Sequence, residues 1–221
     1  MKNVVIFSTF CNDEALCKRM LKITKEKGRI GYIPAGLYDN GNMSIWDMCI
    51  FYDMGFRTMV PFPIGMKYEK ENLERLLSCD AIAIGGGNTF ELLFMLRLRG
   101  LLPILKKYCE DGGILMGASA GGIVMCNQIR IAGFADYNYM DLQDLSSIGL
   151  VDFEVKPHWD CWEKEIGEFQ KYVSKNKVKL YGLREGQAIW VTDNGMTFYG
   201  GKPERIGPIE SVLPKEYKPK E

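Results

Sequence analysis

The sequence predicts a three-layer α/β domain: a mostly parallel sheet flanked by helices, with a C-terminal β-hairpin. Short apolar runs rich in valine and isoleucine alternate with longer segments of helical periodicity. That is the pattern of strands buried on both faces beneath helices. Two glycine-rich turns, Gly85-Gly86-Gly87-Asn88 and Gly117-Ala118-Ser119-Ala120-Gly121, each follow such a run. Open parallel sheets collect their ligands there, beyond the carboxyl ends of the strands.

Val4 to Phe7 reads as the first strand and Asp13 to Lys27 as the first helix. Gly28 breaks that helix before a strand over Arg29 to Pro34. Met43 to Met54 is the next helix, and Thr58 to Phe62 a strand ended by Pro61 and Pro63. Glu69 to Leu77 is helical and Ala81 to Ile84 extended. After the first glycine turn come helices over Thr89 to Arg99 and Pro103 to Glu110, then the strand that leads to Ser119. Asp136 to Gly149 is polar and aromatic without a period, hence loop, and Phe153 to Val155 is a short strand that delivers His158. Glu163 to Ser174 reads as helix and Lys179 to Gly182 as extended. Ala188 to Thr192 and Thr197 to Tyr199 make a hairpin around Asp193-Asn194-Gly195 that caps a sheet edge. One domain over 1–213 and a frayed, charged tail over 214–221 are expected.

Composition narrows the function. The 221 residues are 47% hydrophobic with a formal net charge of zero, which suits one domain with a sizeable core. Balanced charge gives no electrostatic footprint for nucleic acid or an anionic membrane. The apolar start is too short for an export signal, and no stretch is long enough to span a bilayer, so a cytoplasmic protein is expected. Seven scattered cysteines without a CxxC pair read as reduced thiols that act as small apolar residues. A single histidine excludes a histidine-rich zinc site, and neither metal nor cofactor is expected.

Ser119, between small residues at a strand end, reads as a nucleophile elbow, a turn too sharp and crowded for larger neighbours. A hydroxyl needs a base, and His158 is the one imidazole available. Attack on a carbonyl produces an oxyanion, for which the backbone N–H groups of Gly87 and Ala120 are the candidate donors. The GGGN turn matches neither a dinucleotide fingerprint, since Phe90 replaces the third glycine, nor a P-loop, since the lysine is missing. A carboxylate should orient the imidazole, and Asp136, Asp160 and Glu185 are the candidates. Asn88 and Trp159 are the candidate substrate contacts.

With Gly85-Gly86-Gly87-Asn88-Thr89-Phe90, Gly117-Ala118-Ser119-Ala120-Gly121, Pro157-His158 and Gly182-Leu183-Arg184-Glu185-Gly186 in this order, the chain resembles the serine peptidases that include peptidase E and cyanophycinase. The resemblance implies a flavodoxin-like fold of the class I glutamine amidotransferase type. It further implies Ser119 as nucleophile, His158 as base, Glu185 as acidic partner and hydrolysis of short peptides. Aspartyl dipeptidases of the group use an arginine after the histidine to select aspartate. Between His158 and Leu183 this chain has none, and Trp159, Trp162 and Lys164 stand there instead. A short peptide substrate without strict aspartyl specificity is therefore expected, for a monomer or homodimer. The competing readings are an esterase of the α/β-hydrolase type, dependent on Asp136 or Asp152, and a catalytically silent peptide-binding homologue.

Overall fold

The computed structural model describes residues 2–24, 28–36, 43–65 and 67–208. The expected tail over 214–221 lies outside them. In chain order the elements are β1 (Asn3–Phe7), α1 (Glu14–Thr24), β2 (Gly28–Ile33), α2 (Ile45–Asp53), β3 (Phe56–Pro61), α3 (Lys70–Leu77), β4 (Ala81–Ile84), α4 (Thr89–Leu98) and α5 (Leu101–Glu110). There follow β5 (Ile114–Ala118), α6 (Ala120–Ile123), β6 (Glu154–Lys156), α7 (Ile166–Asn176), β7 (Leu180–Gly182), β8 (Ala188–Thr192), β9 (Gly195–Tyr199) and β10 (Glu204–Ile206).

Among the described residues, seven strands form the main sheet in the order β3-β2-β4-β5-β1-β8-β9. The first five are parallel, and β8 and β9 close the edge as an antiparallel hairpin. Alternation along the strands sends Val4, Ile6, Ile82, Ile84 and Leu115 into one core and Val5, Phe7, Ala83, Ile114 and Met116 into the other. Each large side chain so buried contributes roughly 1.5–3 kcal/mol. With both faces covered, the strands must be almost continuously apolar, and this is why they are visible in the sequence.

Helix α5 starts at Leu101, two residues before the expected Pro103. Proline is tolerated there because the N–H groups of a first helical turn have no intrahelical acceptor to lose. The expected helix over Glu163 to Ser174 begins as a 3-10 turn, Glu163–Glu165, and becomes α7.

A second sheet, order β10-β7-β6, was not expected as a unit. Its strands have three residues each. Two buried side chains of β6 are charged: Glu154 accepts the Tyr172 hydroxyl, and the Lys156 Nζ lies 4.1 Å from the centre of the Trp162 ring. Burial lowers the Lys156 pKa to about 8, against a smaller upward pull from Asp136.

Candidate active site

Register places the site. Ile6 and Ile84 both pair with Gly117, so the ends of β1, β4 and β5 lie level. The residues that follow them, Ser8-Thr9, Gly85-Gly86-Gly87 and Ser119, therefore share one rim. Ser119 has φ 52° and ψ −117°, a backbone state that costs on the order of 1–3 kcal/mol outside glycine. Its N–H donates to the carbonyls of Phe7 and Ser8, which holds the turn. A Cβ on Gly121 would sit 2.1 Å from the Ile84 carbonyl oxygen, so only glycine lets the helix after the serine press against β4.

The second sheet carries the partners. His158 follows β6 and Glu185 follows β7, and these strands are parallel neighbours. Crossed backbone bonds, Trp159 N–H to the Leu183 carbonyl and Leu183 N–H to the Lys156 carbonyl, tie the two loops together. The His158 N–H donates to Ser8 Oγ at 2.9 Å and so fastens this loop to the main sheet. Ser119 Oγ lies 2.9 Å from His158 Nε2, and His158 Nδ1 lies 2.6 Å from Glu185 Oε1. Thr9 donates its hydroxyl to Glu185 Oε2, and the Glu185 N–H donates to Asp160 Oδ2 at 2.8 Å.

Of the three candidate carboxylates, only Glu185 meets the imidazole. Asp160 lies in a 3-10 turn, Trp159–Cys161, and not in an extended segment. It accepts from Glu185 and Arg184, and the Glu185 N–H, above all, holds its pKa below the usual carboxylate value. Asp136 accepts from the N–H and hydroxyl of Thr89, and Asp152 pairs with Lys179, so neither carboxylate on which an esterase was expected to depend bonds to His158.

Among the described residues, the N–H groups of Gly86, Gly87 and Ala120 meet no acceptor. Gly86 and Gly87, with Phe10, Asp47, Ser119 and His158, line a cavity of about 280 Å³. The expected substrate contacts are different. Trp159 is fully buried, packs edge-on against Phe169 and donates its indole N–H to Glu204, so it corrects to a structural residue. Gly182 makes room for its ring, since a Cβ there would lie 2.5 Å from it. Asn88 caps α4 through the Glu91 N–H and holds Tyr137 and Tyr139, and it does not line the cavity.

Arg184, beside Glu185, is engaged by Asp160, Glu163 and Glu204. Four cysteines are buried as the sequence predicts, and burial raises the Cys17 pKa to about 11, whereas Cys49 and Cys161 are exposed. Among the described residues no group of three His, Cys, Asp or Glu could hold a metal ion, and no helix is long and apolar enough to cross a membrane.

The family model of peptidase family S51 matches residues 7–199. The chain belongs to that family. It is therefore a serine-type peptidase, a hydrolase. Peptidase E of Streptomyces coelicolor is 28% identical over 186 residues, covering 80% of this chain and 74% of that one. Peptidase E of Salmonella arizonae is 32% identical over 139 residues, 58% of either chain. A solved structure of a candidate peptidase E protein from Listeria monocytogenes EGD-e superposes with a TM-score of 0.69 at 19% identity, covering 90% of this chain and 98% of that one. A peptidase from an acI-B1 Actinobacterium gives a TM-score of 0.62 at 16% identity over 95% and 96% of the two chains. These two likenesses establish the α/β fold.

Proposed function

We propose that this S51 peptidase hydrolyses short peptides as an exopeptidase, through an acyl-enzyme on Ser119. The observation that supports it is the chain of contacts from Ser119 Oγ to His158 Nε2 at 2.9 Å and from Nδ1 to Glu185 at 2.6 Å. Ser119 attacks the scissile carbonyl and passes its proton to Nε2, while the N–H groups of Gly87 and Ala120 hold the oxyanion. Glu185 keeps the Nδ1 proton in place and stabilises the imidazolium. The imidazolium protonates the departing amine. A water then repeats the sequence on the acyl-enzyme.

A small cavity favours substrates with little chain ahead of the cut bond. Its wall holds no lysine or arginine among the described residues, and Arg184 is engaged elsewhere, so strict selection of aspartate has no cation to rest on. Mass spectrometry of a mixed dipeptide and tripeptide library incubated with wild type and Ser119→Ala tests the reading. Products that depend on Ser119 are expected. Equal turnover by the variant would refute the nucleophile, and peptide binding without turnover or phosphonate labelling of Ser119 would favour a silent homologue.

A further inference from the structure

Asp47, in the first turn of α2, lines the same cavity as Ser119 and His158. Apart from His158 it is the one ionisable side chain of that wall among the described residues. Among the described residues no lysine or arginine pairs with it. Ser44 accepts the Asp47 N–H at 3.0 Å and fixes the first turn of α2, on which Asp47 sits. Half-burial raises the pKa of that carboxyl, and the Ser44 hydroxyl only partly counters this. An anion that is partly desolvated and has no cationic partner gains most from a cation brought to it.

We propose that Asp47 is a specificity-determining residue that receives a substrate ammonium. This rests on the reading of Ser119 as nucleophile. The ammonium has two possible sources on a short peptide: the free α-amino group next to the attacked carbonyl, or the side chain of a basic residue in that position. Both put a positive charge within one residue of the cut bond, and a cavity of about 280 Å³ admits about one residue. Where the side chain supplies the charge, basic residues are favoured over acidic ones in that position, the reverse of aspartyl selection; where the α-amino group supplies it, a free amino terminus is favoured over a blocked one.

The test measures kcat/KM for norleucyl-leucine, lysyl-leucine and aspartyl-leucine, each with a free and an acetylated amino terminus. The enzymes are wild type, Asp47→Asn, Asp47→Glu and Ser119→Ala. Unchanged circular dichroism and melting temperature show that the Asp47 variants fold. For Asp47→Asn the substrates carrying the anchoring ammonium are expected to lose roughly 10- to 100-fold, the size of a hydrogen bond to a charged group. Asp47→Glu should recover part of the loss. Collapse of the free-to-acetylated ratio identifies the α-amino group. Collapse of the lysyl-to-norleucyl ratio, whatever the terminus, identifies the side chain. An equal loss on all six peptides, or no loss, overturns the proposal while leaving the nucleophile intact. No Ser119-dependent turnover on any peptide overturns the nucleophile and the proposal with it.

Discussion

Glu185→Gln should cost far less activity than Glu185→Ala, and Thr9 is the reason. The carboxylate bonds the imidazole through Oε1 and accepts the Thr9 hydroxyl through Oε2. A glutamine can keep the same arrangement: its carbonyl oxygen accepts the Nδ1 proton, and its amide donates to Thr9, whose hydroxyl switches from donor to acceptor. The tautomer survives and only charge is lost. Two unit charges about 4 Å apart attract by ~4 kcal/mol at an effective dielectric of ~20 and ~1 kcal/mol in water. The side chains of His158 and Glu185 are 37% and 49% exposed, so an intermediate value applies. Roughly 1.5–3 kcal/mol of transition-state stabilisation, about a 10- to 100-fold fall in kcat, is expected for Glu185→Gln. Glu185→Ala removes control of the tautomer as well and should cost ~10³–10⁴. Thr9→Val alone should cost only a few-fold, but combined with Glu185→Gln it frees the amide to turn and should bring the double variant near the alanine level. Steady-state kinetics on the best library peptide measure all four. Full activity in Glu185→Ala would remove this residue from the mechanism, and equal damage in Glu185→Gln and Glu185→Ala would refute the role given to Thr9.

Lys156→Met should stabilise the fold. The folded-state pKa of about 8 lies below the ordinary 10.5, so between these values the unfolded chain holds more protons, and stability rises with pH across that window. Below it the penalty is full, roughly 3 kcal/mol. Urea denaturation at pH 7 should show a gain of about 1–3 kcal/mol and a flatter pH dependence between 8 and 10.5; a loss would mean that the ammonium over Trp162 is net favourable. Gly121→Ala forces a methyl against backbone atoms of β4 and should destabilise by about 3 kcal/mol; a wild-type melting temperature would contradict the packing of the elbow. Asp160→Ala frees the Glu185 N–H and should lower kcat by roughly tenfold with KM little changed, an outcome read from initial rates.

Legibility followed burial. Ala81–Ile84 and its parallel neighbours could be read because strands covered on both faces carry an unbroken apolar signal. Ser119 and Gly117 to Gly121 could be read because the turn admits few residue types. In the second sheet, extended segments at Phe153 to Val155 and Lys179 to Gly182 could be read, but not β10 or their pairing: the strands are too short for a period, and Glu154 and Lys156 put charge where a core strand should be apolar. Strand order is a property of the folded sheet alone, and it is the adjacency of β1 and β5 that brings Ser8 and Thr9 to the site. Asp47, on α2, carries no local signal at all. The choice between Asp160 and Glu185 turned on a single 3-10 turn after His158, which proline before the histidine did not foretell.

His158 and Glu185 ride on a ribbon of three short strands, while Ser119 is anchored in the large sheet. On the mechanism proposed above, the chemistry is divided between a robust half and a slight one, fastened at Ser8. Warming should silence the enzyme before it melts: amide exchange along Leu180–Gly182 would quicken in step with the fading of turnover, while Ile114–Ala118 stays protected.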